Sequence, residues 1–148
     1  MTWTVFLSGE IHTNWREELI EECNQLKLPL EFYSAVTDHQ KSDDCGVDIL
    51  GPEEKSFWKD NKGARINTLR SRVLIEKSDI LVVRFGDKYR QWNAAFDAGY
   101  ASAKTIPVIV QHSQELTHAL KEVDAFAYAV TENNHQIAQI LSYISAKY

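Results

Sequence analysis

The sequence predicts an α/β fold: a doubly wound, flavodoxin- or Rossmann-like sandwich of five parallel strands in the order 2-1-3-4-5, with helices on both faces. Short apolar runs, among them Trp3 to Leu7, Ile80 to Arg84 and Pro107 to Gln111, alternate with longer amphipathic stretches. A parallel strand needs a crossover connection and buries both faces, so it reads as a continuous apolar run rather than an alternating one. The 148 residues match one ordinary domain, 1–148, large enough to bury a core without disulfide or metal staples.

Each element has its own signal. Trp3 to Leu7 forms the first strand and ends at Ser8-Gly9. After the loop from Glu10 to Thr13, Asn14 offers a helix cap with Glu17 three positions on, and Trp15, Leu19, Ile20 and Cys23 share a face of the helix that runs to about Leu26. Pro29 stops this helix, and Leu30 to Tyr33 is a short second strand. The polar, acidic stretch from Ser34 to Gly51 reads as a long loop, and loops of that length are usually functional or mobile. Pro52 before Glu53-Glu54 opens a helix carrying Phe57, Trp58, Ile66, Leu69, Val73 and Leu74, with a break expected near Asn61-Lys62-Gly63. Ile80 to Arg84 is the third strand, and Trp92 to Ala103 the helix after it. Pro107 to Gln111 and Ala125 to Val130 complete the strands, around a short helix near Glu115 to Lys121 and before a last helix from about Asn133 to Lys147.

Composition narrows the function. A formal charge of -5 and a pI near 5.5 disfavour broad binding to a nucleic acid polymer, which relies on a basic surface. Cys23 and Cys45 show no paired spacing, which suits a reducing cytosol. No stretch reaches the length of a membrane span, and the first residues lack the basic start and apolar core of a signal peptide, so a cytoplasmic location is expected. Asp38, His39, Asp43, Asp44, Cys45 and Asp48 superficially offer metal ligands, but their spacing matches no zinc or calcium pattern. Ser8-Gly9-Glu10 is neither a GxSxG elbow nor a GxGxxG turn, so neither a serine hydrolase nor a dinucleotide cofactor is implied.

The chemistry concentrates in the segment from Gly86 to Ala103. From Asn93 onward its side chains are small or aromatic except for Asp97, and an ionised group is costly to bury without a partner. On a helix the neighbours of Asp97 include Asn93, Ala94, Tyr100 and Ala101, so Tyr100 and Asn93 offer donors while the alanines leave room above the carboxylate. Ligands in such sheets bind outside the carboxyl ends of the strands at the switch point. That places the first loop, with Ser8, Gly9, Glu10, His12 and Trp15, beside Phe85, Gly86, Trp92 and Asn93 as a candidate binding set. Trp15 and Trp92 either stack on a ligand or belong to the core. Arg84, Lys88 and Arg90 either meet a phosphate or form a solvated loop. Asp79 reads as a turn residue bonding local backbone, and His112, His118 and His135 read as surface residues.

Three segments, Phe6-Leu-Ser-Gly-Glu-Ile-His-Thr13, Ser78-Asp-Ile-Leu-Val-Val83 and Trp92-Asn-Ala-Ala-Phe-Asp-Ala-Gly-Tyr-Ala101 followed by Ile106-Pro-Val-Ile109, resemble the nucleoside 2-deoxyribosyltransferase superfamily, and most closely its YtoQ branch. In the characterised transferases a glutamate at the position of Asp97 attacks the anomeric carbon of the sugar, so the resemblance implies Asp97 as nucleophile, with Glu10 or a water-linked acid protonating the leaving base. It places Phe6 where a supporting tyrosine often stands, and Gln91 near the position of a base-contacting carboxylate. It also implies a homo-oligomer whose copies meet through the aromatic surface around Phe57-Trp58 and Trp92. Three readings stay open: a transferase, a hydrolase acting on the N-glycosidic bond of a nucleoside or nucleotide, and a noncatalytic nucleotide-binding or sensing module.

Overall fold

A computed structural model describes residues 1–148. Five parallel strands, β1 (Trp3–Gly9), β2 (Leu30–Ser34), β3 (Ile80–Arg84), β4 (Val108–Gln111) and β5 (Ala129–Thr131), lie in the order β2-β1-β3-β4-β5, as the alternation of elements predicts. The helices are α1 (Trp15–Gln25), α2 (His39–Leu50), α3 (Ser56–Glu76), α4 (Trp92–Ala103), α5 (Lys121–Phe126) and α6 (Asn134–Ser145), with a short 3₁₀ turn over Gln114–Leu116.

Two cores form because side chains alternate across each strand. Val5 and Leu7 of β1 join Ile80, Val82 and Ile109 against Trp15, Leu19 and Cys23 of α1 and Ile137, Ala138 and Leu141 of α6. Phe6 points to the other face, where Leu81, Val83, Val108 and Val110 meet Ile75 of α3 and Ala94, Ala98 and Ala101 of α4. The next side chain of the Phe6 row is Ser8, so the pleat of β1 itself aims Ser8 toward α4.

Two expectations fail in the α2–α3 region. The stretch expected as a loop contains α2, capped by Asp38, whose side chain accepts from the Lys41 amide at 3.0 Å. The expected break near Gly63 is absent, and α3 is continuous. Gly63 and Gly46 instead let the two helices touch: a Cβ on Gly46 would sit 2.4 Å from the Gly63 amide nitrogen. The candidate metal cluster resolves into this hairpin, with His39 against Asp43 at 3.2 Å and Lys59 against Asp44 at 2.9 Å.

Smaller corrections follow the same logic. Asn14 makes no side-chain cap bond to α1, and the amides of the turn before it, His12 and Thr13, donate to the Glu10 carboxylate. Residues 121–126, expected partly as strand, form α5, and β5 begins only at Ala129. Asp79 bonds the Thr4 amide and hydroxyl, at 2.8 and 2.9 Å, rather than local backbone, and so ties β3 to β1. His112 is buried, not surface-exposed, with Nε2 within 2.9 Å of Asp124.

Candidate active site

The carboxyl ends of β1 and β3 open into a cleft of about 770 Å³. The first loop forms one wall, the Tyr89 to Tyr100 segment a second, and the α2–α3 hairpin a third. Gly9 makes the junction possible. Its φ is +119°, and a Cβ there would lie 2.0 Å from the Arg84 carbonyl oxygen, so only glycine lets β1 leave the sheet at this point.

The loop after Gly9 is organised around Glu10, which is 4% exposed. Its Oε2 accepts from the His12 and Thr13 amides at 2.7 and 3.1 Å, and its Oε1 from the Thr13 hydroxyl and from Arg84 Nε at 3.3 Å. Burial alone pushes this carboxyl up, but the Thr13 hydroxyl, the two amides and Arg84 together outweigh it and hold the group below the usual glutamate range. An ionised carboxylate with its lone pairs taken does not suit the expected role of proton donor. This geometry instead makes Glu10 the residue that orders the loop.

A residue unremarked in the sequence completes this support. Arg16 is 4% exposed and donates through Nη1 to the Glu10 carbonyl at 2.6 Å and through Nη2 to the Gly9 carbonyl at 3.2 Å. Burial lowers its pKa from the ordinary arginine value, with Glu10 and Glu17 opposing the change. Trp15 Nε1 adds a third donor, to the Glu10 carbonyl at 2.8 Å. A charged residue in the first turn of a helix reads as solvated, so only the position of Arg16 immediately after the site loop hinted at this role.

Asp97 is held from β1. Ser8 Oγ donates to its Oδ2 at 2.7 Å, and Oδ1 has no hydrogen-bond partner within the protein. Burial raises this carboxyl above the usual aspartate range, and the Ser8 hydrogen bond pulls against that rise. The expected donors do not reach it: the Tyr100 hydroxyl donates to Glu76 instead, and the Asn93 side chain makes no hydrogen bond to it. Phe6 is fully buried in the core, and Ser8, two residues on, supplies the hydroxyl that the first strand brings to the carboxylate.

Of the other candidate residues, Ser8, Gly9, Glu10, His12, Trp92, Asn93, Asp97 and Tyr100 line the cleft. His12 bridges its two loops, with its ring 4.5 Å from that of Tyr89. Gly86 stands behind the wall, donating from its amide to Gln91 Oε1 at 3.0 Å and passing close to the Glu10 side chain. Trp15 and Phe85, 2% and 5% exposed, belong to the two cores and do not line the cleft, so neither stacks on a ligand. Trp92, at 75%, is open to solvent at the rim.

The family model described as nucleoside 2-deoxyribosyltransferase YtoQ matches residues 6–145. The chain belongs to this family. It is 42% identical over 144 residues to the protein YtoQ of Bacillus subtilis (strain 168), covering 97% of each chain. Among solved structures, a conserved protein from Enterococcus faecalis V583 superposes with a TM-score of 0.67 at 13% identity, over 97% of this chain and 99% of that one. A 2-deoxyribosyltransferase from Bacillus psychrosaccharolyticus superposes with a TM-score of 0.55 at 14% identity, over 91% of this chain and 90% of that one. At these identities the two structures share the fold with this YtoQ-family chain. No helix of the chain is long and apolar enough to cross a membrane.

Proposed function

We propose that the protein cleaves the N-glycosidic bond of a nucleoside or nucleotide through a covalent glycosyl intermediate on Asp97 and passes the sugar to a second base. The observation that carries this reading is the Asp97 carboxylate itself, anchored by Ser8 through one oxygen and unpartnered at the other, beside an open cleft. Family membership supports the substrate class.

In this reading Asp97 Oδ1 attacks C1′, the new C–O bond forms, and the C1′–N bond breaks with its electron pair leaving on the base. An oxocarbenium-like transition state suits a nearby carboxylate. The departing base takes up a proton from solvent; the nitrogen of an incoming base then attacks C1′ and gives its N–H proton to solvent, while the C1′–O bond breaks and its electron pair returns to the Asp97 carboxylate. Water in place of the base would make the protein a hydrolase. Ser8 positions the nucleophile and favours its ionised form, while burial keeps it weakly solvated and reactive.

The same reading extends to assembly. Phe57, Trp58, Leu69, Val73, Trp92 and Phe96 are all more than 40% exposed on α3 and α4. We propose that a second copy of the chain covers this surface in a homodimer or larger homo-oligomer. Light scattering at micromolar concentration tests it, and a monomer refutes it.

The deciding experiment for the activity is incubation with a panel of nucleosides and nucleotides, with and without a second free base. Base exchange supports the transferase, and release without exchange the hydrolase. Binding with no release at all moves the reading to a noncatalytic nucleotide-binding module.

A further inference from the structure

A base that leaves a sugar takes up a proton, and a positioned donor speeds such a step by about 10²- to 10⁴-fold. The cleft offers few groups for the task. Glu10 is held ionised with its lone pairs taken, and Asp97 faces the sugar as the nucleophile. The Tyr100 hydroxyl donates to Glu76, and His39 is paired with Asp43 at 3.2 Å. The arginines of the lining keep their protons at any working pH.

His12 is differently placed. It is exposed on the cleft wall, and the histidine ring nitrogens that find partners within the protein belong to His39, His112 and His135, not to His12. Its backbone is nonetheless fixed, because the His12 amide donates at 2.7 Å to Oε2 of Glu10, which is itself buried and held by Thr13 and Arg84. The ring is settled too, 4.5 Å from the Tyr89 ring and tilted 46° to it. An imidazole with a defined position and both nitrogens free is equipped to exchange a proton with a ligand near neutral pH.

The two groups also come from different walls. Asp97 enters the cleft from α4, and His12 from the loop after β1. Displacement at C1′ puts the nucleophile and the leaving base on opposite faces of the sugar, so the proton donor has to come from a wall other than the one that carries the nucleophile. We infer that His12 is the acid–base residue of the proposed reaction. It gives a ring N–H proton to the base as the C1′–N bond breaks, and takes the proton of the incoming base or water as C1′ is attacked again. The imidazolium is spent in the first half and restored in the second, so the proton otherwise exchanged with solvent passes through His12. This rests on the N-glycosidic reading for the reaction itself.

The test compares two kinds of leaving group on one sugar. The full-length protein is given ordinary nucleosides and the pyridinium nucleoside of the same sugar, whose leaving group departs neutral without a proton. His12→Gln should lower kcat/KM for release of the ordinary base by about 10²- to 10³-fold, and change release of the pyridine by less than about threefold. In His12→Ala, imidazole added to the buffer should restore part of the lost base release, which a merely structural role would not allow. That arm decides if His12→Gln fails to fold. Equal losses on both leaving groups, or undiminished release of the ordinary base, overturn the inference and leave the N-glycosidic reading standing. A leaving-group-dependent loss in Tyr89→Phe with none in His12→Gln also overturns it, and assigns the proton to the Tyr89 hydroxyl. A wild type that releases neither leaving group overturns the inference together with the N-glycosidic reading.

Discussion

Ser8 and Asp97 stand 89 residues apart in the chain, and the Ser8 hydroxyl donates to the Asp97 carboxylate at 2.7 Å. One comes from the end of β1 and the other from the middle of α4, so the contact exists only when strand and helix are in register. It is where the fold meets the proposed chemistry.

Removing that hydroxyl should therefore weaken catalysis without abolishing it. A hydrogen bond to a charged group contributes about 1.5–3 kcal/mol, so Ser8→Ala should lower kcat/KM by roughly 10- to 100-fold. Because the Ser8 bond favours the ionised carboxylate, its loss should also move the acid limb of the pH–rate profile to higher pH. Kinetics of the variant across pH measure both effects together.

Asp97 itself should trade stability for function. Its folded-state pKa is raised by burial, so the folded protein holds this proton more tightly than the unfolded chain does. The penalty is absent below the unfolded value near 3.8 and fully present above the raised folded value. Asp97→Asn should thus melt at a higher temperature than the wild type at neutral pH, and the difference should vanish toward about pH 3. Thermal melts at the two pH values check the sign.

Glu10 behaves in the opposite way. Its folded pKa is lowered, so its contribution is present above the ordinary value of 4.5 and is lost as pH falls through the folded value. Glu10→Gln should cost about 1.5–3 kcal/mol in urea unfolding at neutral pH, and less in acid.

The glycine contact that joins the hairpin is a separate test of packing. A Cβ at Gly46 would meet the Gly63 nitrogen at 2.4 Å, so Gly46→Ala should force α2 away from α3. The expected loss is about 1–3 kcal/mol, as for other overpacked contacts, measured by denaturant unfolding.

The sheet order and β3 were legible because a buried parallel strand leaves a dense apolar run, and Ile80 to Arg84 is one. Helix α2 was not, because Gly46 is its one buried residue and a contact between glycines leaves no apolar stripe to read. Asp97 stood out as a lone acid among small residues, but its partner did not. The expected donors were its helical neighbours, whereas Ser8 reaches it through tertiary register that no local spacing encodes. Trp15 and Phe85 sat close to the site in sequence and point into the cores, Trp15 on the face of α1 that carries Leu19 and Cys23, and Phe85, just past β3, in the row of Leu81 and Val83.

The proposed role of Asp97 as nucleophile is open to direct trapping. The protein is incubated with 2-fluoro sugar nucleosides and their 5′-monophosphates, digested, and examined by mass spectrometry. A glycosyl adduct is expected on the peptide containing Asp97, absent in Asp97→Asn, with base release in that variant reduced by roughly 10⁴-fold or more. An adduct on another residue, or undiminished base release in Asp97→Asn, would contradict it.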